Sequence, residues 1–205
     1  MKLKLALRAV TVLVVLCLAV LGVLLYRTAR EERGPALVLV PQETRVDAMI
    51  GKFSPVVPPR PAPDVHFTTL SGKTVSLDAY RGHVVLLNLW ATWCPPCIKE
   101  MPSLARLQAK LPDLAVLAIS QDRRGAEAVD PFLAKLKLTG LATFLDPENG
   151  ASSAFKVEGL PTTILIDRDG RIVGELVGGA EWDSPTMVRL MSQYLHPPTR
   201  AAQAG

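Results

Sequence analysis

The sequence predicts an α/β fold, a small mixed β-sheet covered by helices, attached to an N-terminal transmembrane helix. Three observations predict it. Two continuous apolar runs, 84–91 (VVLLNLWA) and 114–120 (LAVLAIS), have the composition of strands buried on both faces, and a stretch of helical spacing joins them. Further on, segments 163–167 and 171–177 flank Arg168-Asp169-Gly170, a hairpin signal. Ahead of all of this, residues 9–26 hold 18 positions without a charge.

That first run would span about 27 Å as a helix, close to the hydrocarbon thickness of about 30 Å. It ends in Tyr26-Arg27-Thr28-Ala29-Arg30, which does not resemble the small-residue cleavage site of a signal peptide. A retained, single-pass anchor over 1–33 is therefore expected, with Cys17 inside it as a small apolar residue. Lys2, Lys4 and Arg8 before the run balance Arg27, Arg30 and Arg33 after it, so charge alone does not orient it. Seven of the 17 prolines lie in 34–63, which reads as an extended, semi-rigid spacer.

The folded domain is expected over 64–196. Segments 65–69 and 73–76 flank Ser71-Gly72 and predict a hairpin. The 84–91 strand leads into a helix over 95–111, which Pro102 is expected to kink. After the 114–120 strand, Asp130-Pro131 reads as an N-cap and first helical residue. A short strand over 141–145 and a short helix over 151–155 follow. Ser184-Pro185 opens a last helix to about Leu195, and 197–205 is a tail.

Charge excludes one class of function. The chain has a formal net charge of +4, but residues 1–33 hold six Lys/Arg against two Asp/Glu. The remaining residues carry 17 of each sign, so the domain has no electrostatic footprint for a phosphate backbone. No nucleic-acid partner is expected. Three cysteines are too few for a disulfide scaffold.

The chemistry concentrates at Trp93-Cys94-Pro95-Pro96-Cys97-Ile98-Lys99-Glu100, where a buried strand gives way to a helix. Cysteines three apart on a helical turn have Cβ atoms about 5–6 Å apart, near the spacing a disulfide needs. Cys94 falls at the helix N-terminus, where unpaired N–H groups and the macrodipole favour the thiolate that attacks disulfides. Cys97, one turn in, is expected to be more buried and to resolve the mixed disulfide. A zinc pair would need about four ligands. Cys17, His66, His83 and His196 show no ligand spacing, so no metal and no organic cofactor is expected. Two inert core cysteines are the other alternative. Trp90 reads as core, and Trp93 as part of the exposed site. Asp122-Arg123-Arg124 reads as a polar loop.

The string WATWCPPC, together with Gly159-Leu160-Pro161-Thr162-Thr163, resembles the thioredoxin superfamily. More closely, 64–196 is similar to its membrane-anchored TlpA/ResA/CcmG group of thiol–disulfide oxidoreductases, and Ala180-Glu181-Trp182 is most similar to the TlpA branch. The resemblance implies the thioredoxin fold, with Cys94 as nucleophile and Cys97 as resolving thiol. It implies a cis peptide before Pro161, with the Leu160 backbone beside Cys94 as an edge for an extended substrate segment. Asn88 stands where ordinary thioredoxins carry a buried Asp. Glu100 matches an acidic residue near the active site of ResA-like proteins and is a candidate proton relay; the plain alternative is a solvated first-turn Glu. Trp93, Pro95 and Leu160, with Ile98, form a candidate docking patch.

The expected function is a periplasm-facing reductase of protein disulfides at the inner membrane. The resemblance implies oxidised partners in cytochrome c maturation or copper-site assembly of an oxidase, either apocytochrome c or copper-assembly proteins. It also implies recharging by a membrane thiol carrier of the CcdA/DsbD type. The alternatives are an oxidase with reversed electron flow, a copper-binding assembly chaperone and a peroxidase.

Overall fold

The computed structural model describes residues 53–138 and 140–196. The apolar run at 9–26, most of the proline-rich stretch and the tail after 196 lie outside them. Among the described residues no helix is long and apolar enough to cross a membrane.

The strands are β1 (Phe53–Pro61), β2 (His66–Thr69), β3 (Thr74–Ser76), β4 (Val84–Trp90), β5 (Leu114–Ser120), β6 (Thr143–Leu145), β7 (Thr162–Ile166) and β8 (Arg171–Val177). The helices are α1 (Pro95–Lys110), α2 (Ala126–Leu136), α3 (Gly150–Phe155) and α4 (Pro185–Leu195), with a 3-10 turn at Leu77–Tyr80. All eight strands join one sheet in the order β1-β8-β7-β4-β5-β6-β2-β3. β4, β5 and β6 run parallel, and β7 lies antiparallel on the other side of β4. The two long apolar runs thus form the sheet centre, where both faces are covered.

Alternation along β4 builds two cores. Val84, Leu86 and Trp90 face a layer with Leu104 and Leu107 of α1, Val129 and Leu133 of α2, and Met187, Met191 and Leu195 of α4. Val85, Leu87 and Leu89 face the opposite layer with Phe67, Phe144, Ala151 and Phe155. Phe67 and Phe144 meet edge to face at 4.7 Å. Asn88 shares the α1 side of the strand, a polar side chain in an apolar layer.

Two expectations need correction. The proline-rich stretch does not run on as a spacer to 63, and the sheet begins before 64. From Phe53 it forms β1, an edge strand antiparallel to β8, with the register shifting between Pro55 and Arg60. Proline removes ladder donors, and an edge strand at a bulge is where a sheet tolerates that loss. The Phe53 ring supplies the anchor and is buried against Gly174, where a Cβ would overlap it. Second, Asp130-Pro131 does not open a helix. α2 begins at Ala126 and carries Pro131 in its interior, because Val129 and Leu133 already bury on its inner face. α1 runs from Pro95 to Lys110 with Pro102 inside it.

Candidate active site

The end of β4 delivers the chain to the mouth of α1. Cys94 is the N-cap residue, in extended conformation, with Pro95 and Pro96 at the first two helical positions. Those prolines carry no N–H, so the first turn has lost two of its unpaired donors. The Cys97 N–H remains, and it points at Cys94 Sγ at 3.3 Å. The Cys94 carbonyl accepts from Ile98 N at 3.0 Å. Cys94 and Cys97 form a disulfide, with Cα atoms 5.3 Å apart. Cys97 is fully enclosed at 0% exposure and Cys94 is nearly so, while Trp93 beside them is 67% exposed.

The turn before Cys94 is held from a distance. Asp122 Oδ2 accepts from the Thr92 N–H at 2.8 Å and Oδ1 from the Thr92 hydroxyl at 2.7 Å. Asp122 is buried and also accepts from Ser120 Oγ. It is not merely part of a polar loop: it fastens the active-site turn to the end of β5. Its partner lies 30 residues away, and no local pattern announces it.

Glu100 stands one helical turn beyond Cys97 and is only 2% exposed, which excludes the solvated alternative. Its Oε1 accepts from Asn88 Nδ2 at 2.9 Å; its Oε2 accepts from Trp182 Nε1 at 2.9 Å and from Ala180 N at 3.0 Å. Burial pushes the Glu100 carboxyl above the ordinary range, and these three donors pull it only partly back. Ser103 Oγ donates to the Glu100 carbonyl and accepts from the Trp182 N–H, which seats the 180–182 segment on α1. Outside this seat, Arg106 pairs with Glu181 and Asp183, and Lys110 with Asp183. Arg106 foremost holds the half-buried Asp183 carboxyl well below its usual range. Trp182, fully enclosed and donating to Glu100 Oε2, joins this site from a segment to which the sequence pattern assigns no role.

The Leu160–Pro161 peptide is cis, as is Val57–Pro58 in β1. The Pro161 carbonyl accepts from Gly178 N at 2.8 Å, joining this loop to the end of β8. Trp93 and Leu160 line one open groove of about 690 Å³, together with Thr92, Asp122, Arg123 and Gly159. Pro95 is exposed but does not line it. Val177, register partner of Thr162, is a large apolar side chain left 69% exposed near the same loop.

Comparison with known proteins gives the family and the fold. The Redoxin family model matches residues 59–190. ResA, a thiol-disulfide oxidoreductase of Bacillus cereus, is 36% identical over 118 residues, which cover 57% of this chain and 68% of that protein. The thioredoxin-like protein YneN of Bacillus subtilis is 38% identical over 120 residues, covering 57% and 69%. Among solved structures, a Chlorobium tepidum protein described as thiol:disulfide interchange protein DsbE superimposes with a TM-score of 0.57 at 30% identity, over 67% of this chain and 94% of that one.

Proposed function

We propose that this chain, which belongs to the Redoxin family and is a thiol–disulfide oxidoreductase of thioredoxin fold, works as a reductase of protein disulfides on the periplasmic face of the inner membrane. Its substrates are oxidised partners in cytochrome c maturation or in copper-site assembly of an oxidase. The observation that carries this reading is the Cys94 sulfur at the mouth of α1, under the Cys97 N–H, with a buried carboxyl one turn behind.

Reduction begins with both sulfurs as thiols. The helix N-terminus favours loss of the Cys94 proton. The Cys94 thiolate attacks one sulfur of the partner disulfide; a new S–S bond forms, and the partner's other sulfur leaves as a thiolate. Glu100 then takes the Cys97 proton. The Cys97 thiolate attacks Cys94 Sγ, closes the 94–97 disulfide and releases the partner's second thiolate. Two electrons have passed to the partner, and its two sulfurs take up two protons. Trp93, Pro95 and Leu160 hold the partner segment, and the loop at Pro161 offers its backbone edge. The apolar run at 9–26 supplies the tether, and a membrane thiol carrier of the CcdA/DsbD type returns the electrons.

The direction of flow is tested by the reduction potential. Equilibration of the full chain in detergent against thiol buffers is expected to place the 94–97 couple nearer thioredoxin, about −270 mV, than the oxidant DsbA, about −120 mV. The reduced protein should also open a disulfide-bonded C-x-x-C-H peptide stoichiometrically. A potential near that of DsbA would overturn the reductase reading.

A further inference from the structure

All three groups holding the Glu100 carboxyl are N–H donors: Asn88 Nδ2 on Oε1, and Trp182 Nε1 and Ala180 N on Oε2. A carboxylate suits three donors. A carboxylic acid does not, because its O–H needs an acceptor and has to displace one of them. An indole and a backbone amide cannot become acceptors. A side-chain amide can, by half a turn about its last bond.

Asn88 is placed for that turn. It is fully enclosed in β4, and its Nδ2 serves both Glu100 Oε1 and Thr163 Oγ1, each at 2.9 Å. Its Oδ1 is buried with no partner among the described residues. Thr163 is its register partner on β7, and a hydroxyl either accepts or donates.

We propose that Asn88 is a positioning residue that turns over as Glu100 gains and loses its proton. With Glu100 ionised, Nδ2 donates to Oε1 and to Thr163. With Glu100 protonated, Oε1–H and the Thr163 hydroxyl both donate to Oδ1. Each orientation leaves one polar atom of the amide unpartnered, Oδ1 in the first and Nδ2 in the second, so the proton on Glu100 decides between them. This inference rests on Glu100 as the proton relay. The proton is the one Cys97 releases as its thiolate forms, and it leaves Glu100 when the pair is reduced again. The other titratable and charged groups around the site are Cys94 and Cys97 on α1, exposed Lys99, and Glu181 and Asp183, which turn outward to Arg106 and Lys110. β4 and β7 face Glu100 with the neutral Asn88 and Thr163.

The test is an NMR titration of the reduced full chain in detergent micelles, following the Glu100 carboxyl carbon and the Asn88 side-chain amide together. The expected result is one shared midpoint. In Glu100→Gln, whose amide donates where the acid would, the Asn88 signals should sit at their acid-limit positions at every pH. Glu100 titrating while Asn88 stays still overturns the inference and leaves the relay standing. The same holds if Glu100→Gln keeps Asn88 in its high-pH position. A Glu100 that does not titrate, with exchange rates untouched by Glu100→Gln, overturns both. The wild-type titration needs no substitution, so the test survives a variant that fails to fold.

Discussion

A buried carboxyl is costly unless its surroundings serve it, and Glu100 shows how far three donors go. Desolvation raises its pKa, and the bonds from Trp182, Asn88 and Ala180 offset only part of that. The folded protein therefore still holds the Glu100 proton at pH values where the unfolded chain has released it, above about 4.3. In that window the native state binds more protons, so stability falls as pH rises, and the loss persists at neutral pH. Glu100→Gln removes the ionisation and is expected to unfold at a higher temperature than the wild type at pH 7. The gap should close as pH drops below about 4. Calorimetry across that range checks the sign, and a variant less stable at neutral pH would contradict it. Of this cluster, Glu100 was legible in the sequence through the resemblance to ResA-like proteins, which carry an acidic residue near the active site there. Its burial and its partners were not: Asn88 reaches it from β4 and Trp182 from a segment 82 positions away, through tertiary packing that no local period encodes.

At the scale of elements, apolar pattern and cap residues carried most of the fold. β5 occupies its expected span, and Ser184 caps α4 by accepting from Met187 N. The exceptions are the proline-bearing segments. Pro131 reads as a helix start because its ring suits the first turn, yet the apolar face of α2 outweighs the one hydrogen bond it removes. The prolines of β1 read as a spacer because they cannot donate, yet β8 needs donors from only some positions of an edge partner. β1 is anchored at its start by Phe53, whose ring fills the space beside Gly174. Phe53→Ala should cost about 3–5 kcal/mol if that ring is packed as a core residue. Hydrogen exchange should then quicken along Phe53–Pro61 and the outer edge of β8 while β4, β5 and β7 keep their protection. Unchanged exchange in β1 would show that the ladder alone holds it.

Across the whole molecule, the apolar and charged residues divide the labour by position. The net basic excess lies in 1–33, and residues 34–205 carry equal numbers of each sign. Trp93 and Val177 are exposed apolar side chains and Leu160 is half-buried, lying where β4, the Pro161 loop and β8 end; under the proposed function they and Pro95 would meet the partner. Cys94 sits at the mouth of α1, and Cys97 is sealed behind it. This asymmetry gives the account its most direct test. Full-length Cys97→Ser, expressed in its native membrane, retains the attacking sulfur and loses the resolving one. It should accumulate a reductant-sensitive adduct with a partner protein, joined through Cys94. Cys94→Ser should accumulate none. Adducts joined through Cys97, or equal trapping by both variants, would contradict the assignment of the two sulfurs.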